Sequence, residues 1–209
     1  MCTVPNRQRG QYARTAGRRR EIARAVLRLV EEKGHAQVTT AEVARRARTS
    51  EATVLYHFPG KDHLLVAALE YADAASADRE VRDLAGLRAF VRRATTHHEP
   101  VLRLHTVLAG NAATPDHPAA EYFARRNAAA IDEFRRLVEE RQRSGDAHPG
   151  LDPADVARQI VAVWDGLTAQ WLVDPSFDLA ETLIRAIRRL TAQNWMDVRR
   201  SLLAPETGL

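Results

Sequence analysis

Hydrophobic positions three and four apart, divided by charged and polar residues, predict helices along most of the chain. Ile22, Val26, Leu29 and Val30 line one face of a first helix over about 19–33, with Gly34 as its stop. Thr39 and Glu42, three residues apart, form a capping box, and Val43, Ala44 and Ala47 make the buried stripe of a short second helix. Ser50 can cap a third, which Pro59 and Gly60 end. Two short helices joined by a tight turn predict a helix-turn-helix, with Val54 and Phe58 in its core.

A fourth helix begins near residue 61 with Leu64, Leu65, Ala68, Leu69 and Ala72 on one side. Leu87, Phe90, Val91 and Ala94 predict a fifth, broken at Pro100, and Val101, Leu104, Val107 and Leu108 a sixth. Pro118 opens a long seventh helix that stops near Ser144 and Gly145. Asp152 caps an eighth with Pro153 at its first position and Val156, Ile160, Val163, Leu167 and Trp171 along one face. Leu183, Ile187 and Leu190 mark a ninth. Val161 and Leu172 widen the apolar surface of the eighth and Ile184 that of the ninth, a surplus that needs a partner unless both helices are buried in one monomer. The expected fold is all-α with about nine helices: a basic flexible arm at 1–18, a helix-turn-helix head at 19–65 and a helical body at 66–209.

Composition agrees with helix and sharpens the division. Ala, Leu, Val, Arg and Glu dominate and aromatics are only 6%. Residues 1–60 hold 12 Lys or Arg against 5 Asp or Glu, while the remainder is mildly acidic, so a polyanion is expected at one end alone. The cluster from Arg7 to Arg20, taken alone, reads better as a solvated terminus than as part of that site. The single cysteine, Cys2, excludes an intrachain disulfide and points to a reducing cytoplasm. No apolar run reaches the ~20 residues of a membrane span, and the opening segment lacks an apolar signal core, so neither membrane insertion nor export is expected.

The stretch TTAEVARRARTSEATVLYHFPGK, residues 39–61, resembles the operator-binding head of the TetR family, most closely from Ile22 to about Leu69. The resemblance implies a homodimeric regulator bound to double-stranded operator DNA. It places Glu51, Ala52, Thr53 and Leu55 at the major groove, Thr39, Thr40, His57 and Lys61 at phosphates, and the last two predicted helices, eight and nine, in a dimer interface. Thr53 and Ala52 suit thymine methyls, and Glu51 can accept from a cytosine amine. Two positions depart from the family pattern. The tyrosine usual two residues before the motif histidine is Leu55, with the aromatic moved to Tyr56, a candidate to replace its phosphate contact. The glycine usual in the turn is Arg48, which must enter or avoid a left-handed backbone and is a candidate DNA contact by its charge or equally a solvated turn residue.

The resemblance further implies a pocket in the body for an unknown small-molecule effector. Candidates are polar or amphipathic residues on apolar stripes: His105, Asn127, Trp164, Asp165 and Trp171, each of which is equally at home as a satisfied core residue. His97, His98 and Glu99 lack a paired ligand at convincing spacing, so no metal is expected. No cofactor and no catalytic residue is expected, since no nucleophile elbow, phosphate-cradling glycine loop or zinc-binding His-Glu-x-x-His helix occurs. The expected function is repression relieved by a ligand. An activator or ligand-independent regulator, or a small-molecule-binding helical protein or enzyme with an incidental basic head, are the alternatives.

Overall fold

A computed structural model describes the backbone of residues 6–76 and 83–203 and the side chains of residues 14–75 and 83–200. Among these residues every regular element is helical: α1 (Asn6–Lys33), a 3-10 turn (His35–Gln37), α2 (Thr40–Arg46), α3 (Glu51–His57), α4 (Lys61–Ser76), α5 (Leu84–His97), α6 (Glu99–Asn111), α7 (Ala119–Arg143), α8 (Pro153–Val173), α9 (Leu179–Leu190) and α10 (Gln193–Leu203).

Two differences from the sequence pattern have clear causes. The segment expected as a flexible arm is helical from Asn6, because its arginines, glutamines and alanines favour helix without supplying an apolar repeat. Residues 1–5, with Cys2, lie outside the described residues. A tenth helix follows the nine expected: α9 ends at Leu190 and is followed by Thr191 and Ala192, the latter at φ 53°, with no glycine or proline to announce the break.

The chain divides into two compact units, residues 1–79 with 100–122 and residues 80–99 with 123–209. In the first, α1 packs on α4. Ile22, Val26 and Val30 of α1 and Leu64, Leu65, Ala68 and Leu69 of α4 are buried. Val43 and Ala44 of α2, and Val54 of α3 with the following Phe58, complete this core. Full burial of each larger aliphatic contributes about 1.5–3 kcal/mol. Gly34 ends α1 at φ 82°, a conformation glycine reaches without strain. α6 falls in this unit. There the Tyr122 hydroxyl donates to Asp73 Oδ2 at 2.6 Å, and His117 Nε2 lies 3.3 Å from Asp62.

In the second unit α9 packs on α5 and α8. Its core joins Leu87 and Val91, Val138, Val156 and Ile160, and Leu179, Leu183, Ile184 and Ile187. Arg88 Nε donates to Glu181 Oε1 at 2.7 Å, and Arg92 reaches the same oxygen at 3.0 Å. α9 therefore has no surplus apolar face. Leu183, Ile184 and Ile187 are at most 1% exposed within the single chain, and the opposite side carries Arg185, Arg188 and Arg189. The apolar residues left outside are Val173 at the end of α8, 87% exposed, and Trp195 and Val198 on α10.

Candidate nucleic-acid interface

The two short helices are fixed by their own caps. The Glu42 N–H donates to Thr39 Oγ1 at 3.4 Å, the first bond of the capping box read from sequence, while the Glu42 carboxylate accepts from the Thr39 hydroxyl at 2.8 Å. Lys33 also closes on Glu42 Oε2, binding the end of α1 to the start of α2. In α3 the Thr53 N–H donates to Ser50 Oγ at 3.1 Å. Thr40 Oγ1 then donates to Glu51 Oε2 at 3.0 Å, so the first turns of α2 and α3 are joined side chain to side chain.

This framework presents one face of α3. Val54 and Phe58 are buried as expected, whereas Glu51, Ala52, Leu55 and Tyr56 are exposed, Tyr56 to 82%. Two residues are more constrained than the sequence implied. The Thr53 hydroxyl shares a hydrogen bond with Ser50 Oγ at 2.9 Å, which leaves its methyl as the freer group. Glu51 has committed one carboxylate oxygen, Oε2, to Thr40.

The cationic residues of the motif differ in state. Partial burial, with Arg19 and Arg18 nearby, holds the His57 imidazole below its ordinary range, so at neutral pH it offers a neutral N–H donor rather than a charge. Its ring meets Tyr56 edge to face at 5.1 Å. Lys61 is exposed and its Nζ donates to the Ala36 carbonyl at 2.6 Å, bringing a full charge to the start of α4.

Arg48 occupies the left-handed region at φ 52°, the conformation for which glycine is suited. The preceding carbonyls impose it, since the Arg48 N–H donates to Arg45 O and the Thr49 N–H to Ala44 O. The Arg48 side chain lines an open cleft of about 610 Å³ with Arg46, Ala47 and the α1 residues Arg18, Glu21, Arg24, Ala25 and Arg28. Reading the chain for apolar faces passed over this arginine row, although its spacing along α1 at 18, 24 and 28 was visible.

The candidate effector residues fall in both units. His105 is half-buried on α6 in the first unit, and Asn127, Trp164, Asp165 and Trp171 lie in the second. Trp164 stacks at a tilt on Phe90, 6.3 Å between centroids, and both tryptophans pack against the α5–α8–α9 core. Asp165 differs from them: burial raises its carboxyl pKa, and only Arg126 of α7 opposes the shift. One turn on, and missed in the sequence, Thr168 is 2% exposed with no hydrogen-bond partner for its hydroxyl among the described residues. No group of three His, Cys, Asp or Glu side chains able to hold a metal occurs among the described residues, and none of their helices is long and apolar enough to cross a membrane.

Comparison with known proteins matches the chain in two successive segments. Residues 22–68 match the model of bacterial regulatory proteins, tetR family, and residues 85–195 that of the BetI-type transcriptional repressor, C-terminal. The HTH-type transcriptional regulator BetI of Brucella canis is 32% identical over 91 residues, 43% of this chain and 42% of that protein, so the match spans about two fifths of the curated relative. A TetR-family transcriptional regulator structure from Rhodococcus sp. superposes with a TM-score of 0.63 at 22% identity, over 84% of this chain and 99% of that one. A transcriptional regulator from Saccharomonospora viridis in complex with choline gives 0.60 at 21% identity, over 86% and 97%.

Proposed function

The chain belongs to the TetR family, with a C-terminal part of BetI type, and from that premise we propose that it is a homodimeric repressor that binds a pseudo-palindromic operator and is released by a small molecule. The observation that carries the DNA half is α3 itself, capped by Ser50, anchored through Val54 and Phe58, and exposing Ala52, Leu55 and Tyr56 beside Thr39, Thr40 and Lys61. Such a helix supplies base contacts while the flanking groups hold phosphates. Titration of the chain against its own upstream DNA and random DNA at several salt concentrations tests this. A salt-dependent affinity with operator preference is expected, and equal, salt-independent binding to both would refute it.

For the effector, the half-buried Asp165 carboxylate favours a small organic cation, which would restore the charge that burial penalises. The choline held by the Saccharomonospora neighbour supports that class. Aromatic residues on the same helix, Trp164 and Trp171, suit a cationic ligand further. The ligand acts only through its different affinity for the DNA-competent and incompetent states. Calorimetry with choline on the parent and on Asp165→Asn tests it: binding lost in the variant supports the assignment, and equal binding to both removes Asp165 from the site.

We place the dimer contact at the end of the second unit, with the outer side of α8 (Ala162, Gly166, Val173) in place of the apolar face of α9. An activator remains the principal alternative, separated from a repressor by transcription measured with and without the protein.

A further inference from the structure

The arginine-lined cleft of the first unit has no place in the motif chemistry. Its walls are the outer face of α1, with Arg18, Glu21, Arg24 and Arg28, and the end of α2 with its turn, Arg46 and Arg48. Three of these arginines are neutralised. Arg18 holds Glu21 at 2.7 Å, Arg28 holds Glu31 at 3.4 Å, and Arg46 takes Glu32 with both guanidinium nitrogens at 2.6 and 2.5 Å. Arg24 and Arg48 have no acidic partner among the described residues, so two positive charges remain unbalanced on facing walls.

The cleft also has a defined position relative to α3. Arg48 lies two residues before the Ser50 cap, at the start of α3, and Arg18 adjoins Arg19, whose guanidinium bonds the carbonyl of His57 at the other end. From residue 18 to residue 28, α1 advances about 15 Å. Only Ala25 and Ala47 contribute apolar lining, unlike a pocket that engulfs a small effector. The left-handed end of α2 at Arg48 turns the chain there, and the Arg48 side chain lines the cleft with those of α1.

We propose that this cleft is a second backbone clamp, in which Arg24 and Arg48 grip phosphates of the operator strand flanking the groove that α3 enters. The proposal rests on the DNA-binding reading above and extends its footprint from the helix-turn-helix onto α1. Pairing of Arg18, Arg28 and Arg46 with glutamates rigidifies the walls and limits the gain to two charges. The clamp carries no base information and acts on operator and random DNA alike.

The test compares the full-length parent with Arg24→Gln, Arg48→Gln, the double variant and Lys61→Ala, each titrated against operator and random duplexes from 50 to 300 mM KCl. Circular dichroism accompanies each titration. Each glutamine variant is expected to lower the slope of log K against log salt by about 0.9, the double by about 1.8, with operator preference retained. Arg24 is exposed on α1, so Arg24→Gln alone decides the matter if the double variant fails to fold. Unchanged slopes in the glutamine variants, beside a lowered slope in Lys61→Ala, would overturn the clamp and leave the DNA reading intact. A parent that binds no duplex would overturn both. A third arm titrates pyrophosphate by calorimetry: binding lost in Arg24→Gln while DNA slopes stay unchanged would assign the cleft to a free anion and also overturn the clamp.

Discussion

Arg19 Nη1 donates to the carbonyl oxygen of His57 at 2.6 Å, and the same guanidinium stands 4.3 Å from the centre of the Phe58 ring. α1 thereby caps the C-terminal end of α3, where carbonyls otherwise lack partners. Arg19→Ala should destabilise the first unit by about 1 kcal/mol, the worth of an exposed charged hydrogen bond with a cation–π contact. Arg19→Lys should recover part of it, a lysine being unable to stack and donate at once in the same geometry. Hydrogen exchange at the amides of residues 54–58 reads the effect; unchanged protection in Arg19→Ala would show that α3 ends without help from α1.

His57 and Lys61 should separate in their salt dependence. Lys61→Ala removes a charge and should lower the salt slope by about 0.9, whereas His57→Ala at pH 8 should weaken binding with the slope nearly unchanged, because the imidazole is neutral. The lowered pKa of His57 also fixes a sign. Its contribution to folding is present above the unfolded value near 6.5 and is lost as pH falls through the folded value. DNA favours the protonated form, so operator affinity should rise over the same interval while stability falls. Titrations of parent and His57→Ala between pH 8 and 5.5 check both; identical pH profiles would assign the dependence elsewhere.

At Arg48 stability and affinity should part. Arg48→Gly relieves the left-handed strain and should raise stability by up to about 1 kcal/mol, less the unfolded-state entropy glycine adds. DNA affinity should fall with the lost charge. A variant that is less stable yet binds as well as the parent would contradict both halves, measured by thermal melts and by duplex titration.

Two substitutions distinguish core from interface at the end of the second unit. Leu183→Glu places a charge in a site with no exposed surface and should unfold that unit, whereas Val173→Glu, on an 87% exposed side chain, should leave folding intact and separate the dimer. Circular dichroism with sedimentation distinguishes the outcomes. A Val173→Glu protein that still sediments as a dimer would move the interface off the α8 terminus.

Helix positions were readable wherever a local signal existed. Thr39 with Glu42, Ser50, Asp152 and Pro153 each mark a start by short-range chemistry, and the structure places helices there. Residues 6–18 escaped because their helicity comes from propensity without a pattern, and α10 because its break at Ala192 uses a non-glycine left-handed residue. Side-chain state was hidden for a different reason. That Thr53 bonds Ser50, that Glu51 is held by Thr40, and that Thr168 is buried without a partner depend on contacts across turns and between helices, which periodicity does not encode. The apolar positions of α9 were legible but not what covers Leu183, Ile184 and Ile187, because burial by α5 and α8 and burial by a second copy leave the same pattern in sequence.

Thr39, Ser50, Asp83, Asp152 and Asp178 each accept a backbone N–H from the first turn of the helix they precede. Helix nucleation is the costly step in isolation, and a built-in cap lowers it before any tertiary neighbour has arrived. Refolding of the α2–α3 hairpin should therefore be fast, its partners being adjacent in sequence. The α5–α9 pairing, fastened by Arg88 and Glu181 across 93 positions, must instead wait for closure of a long chain segment, which makes the second unit the slower to regain its native contacts after dilution from denaturant.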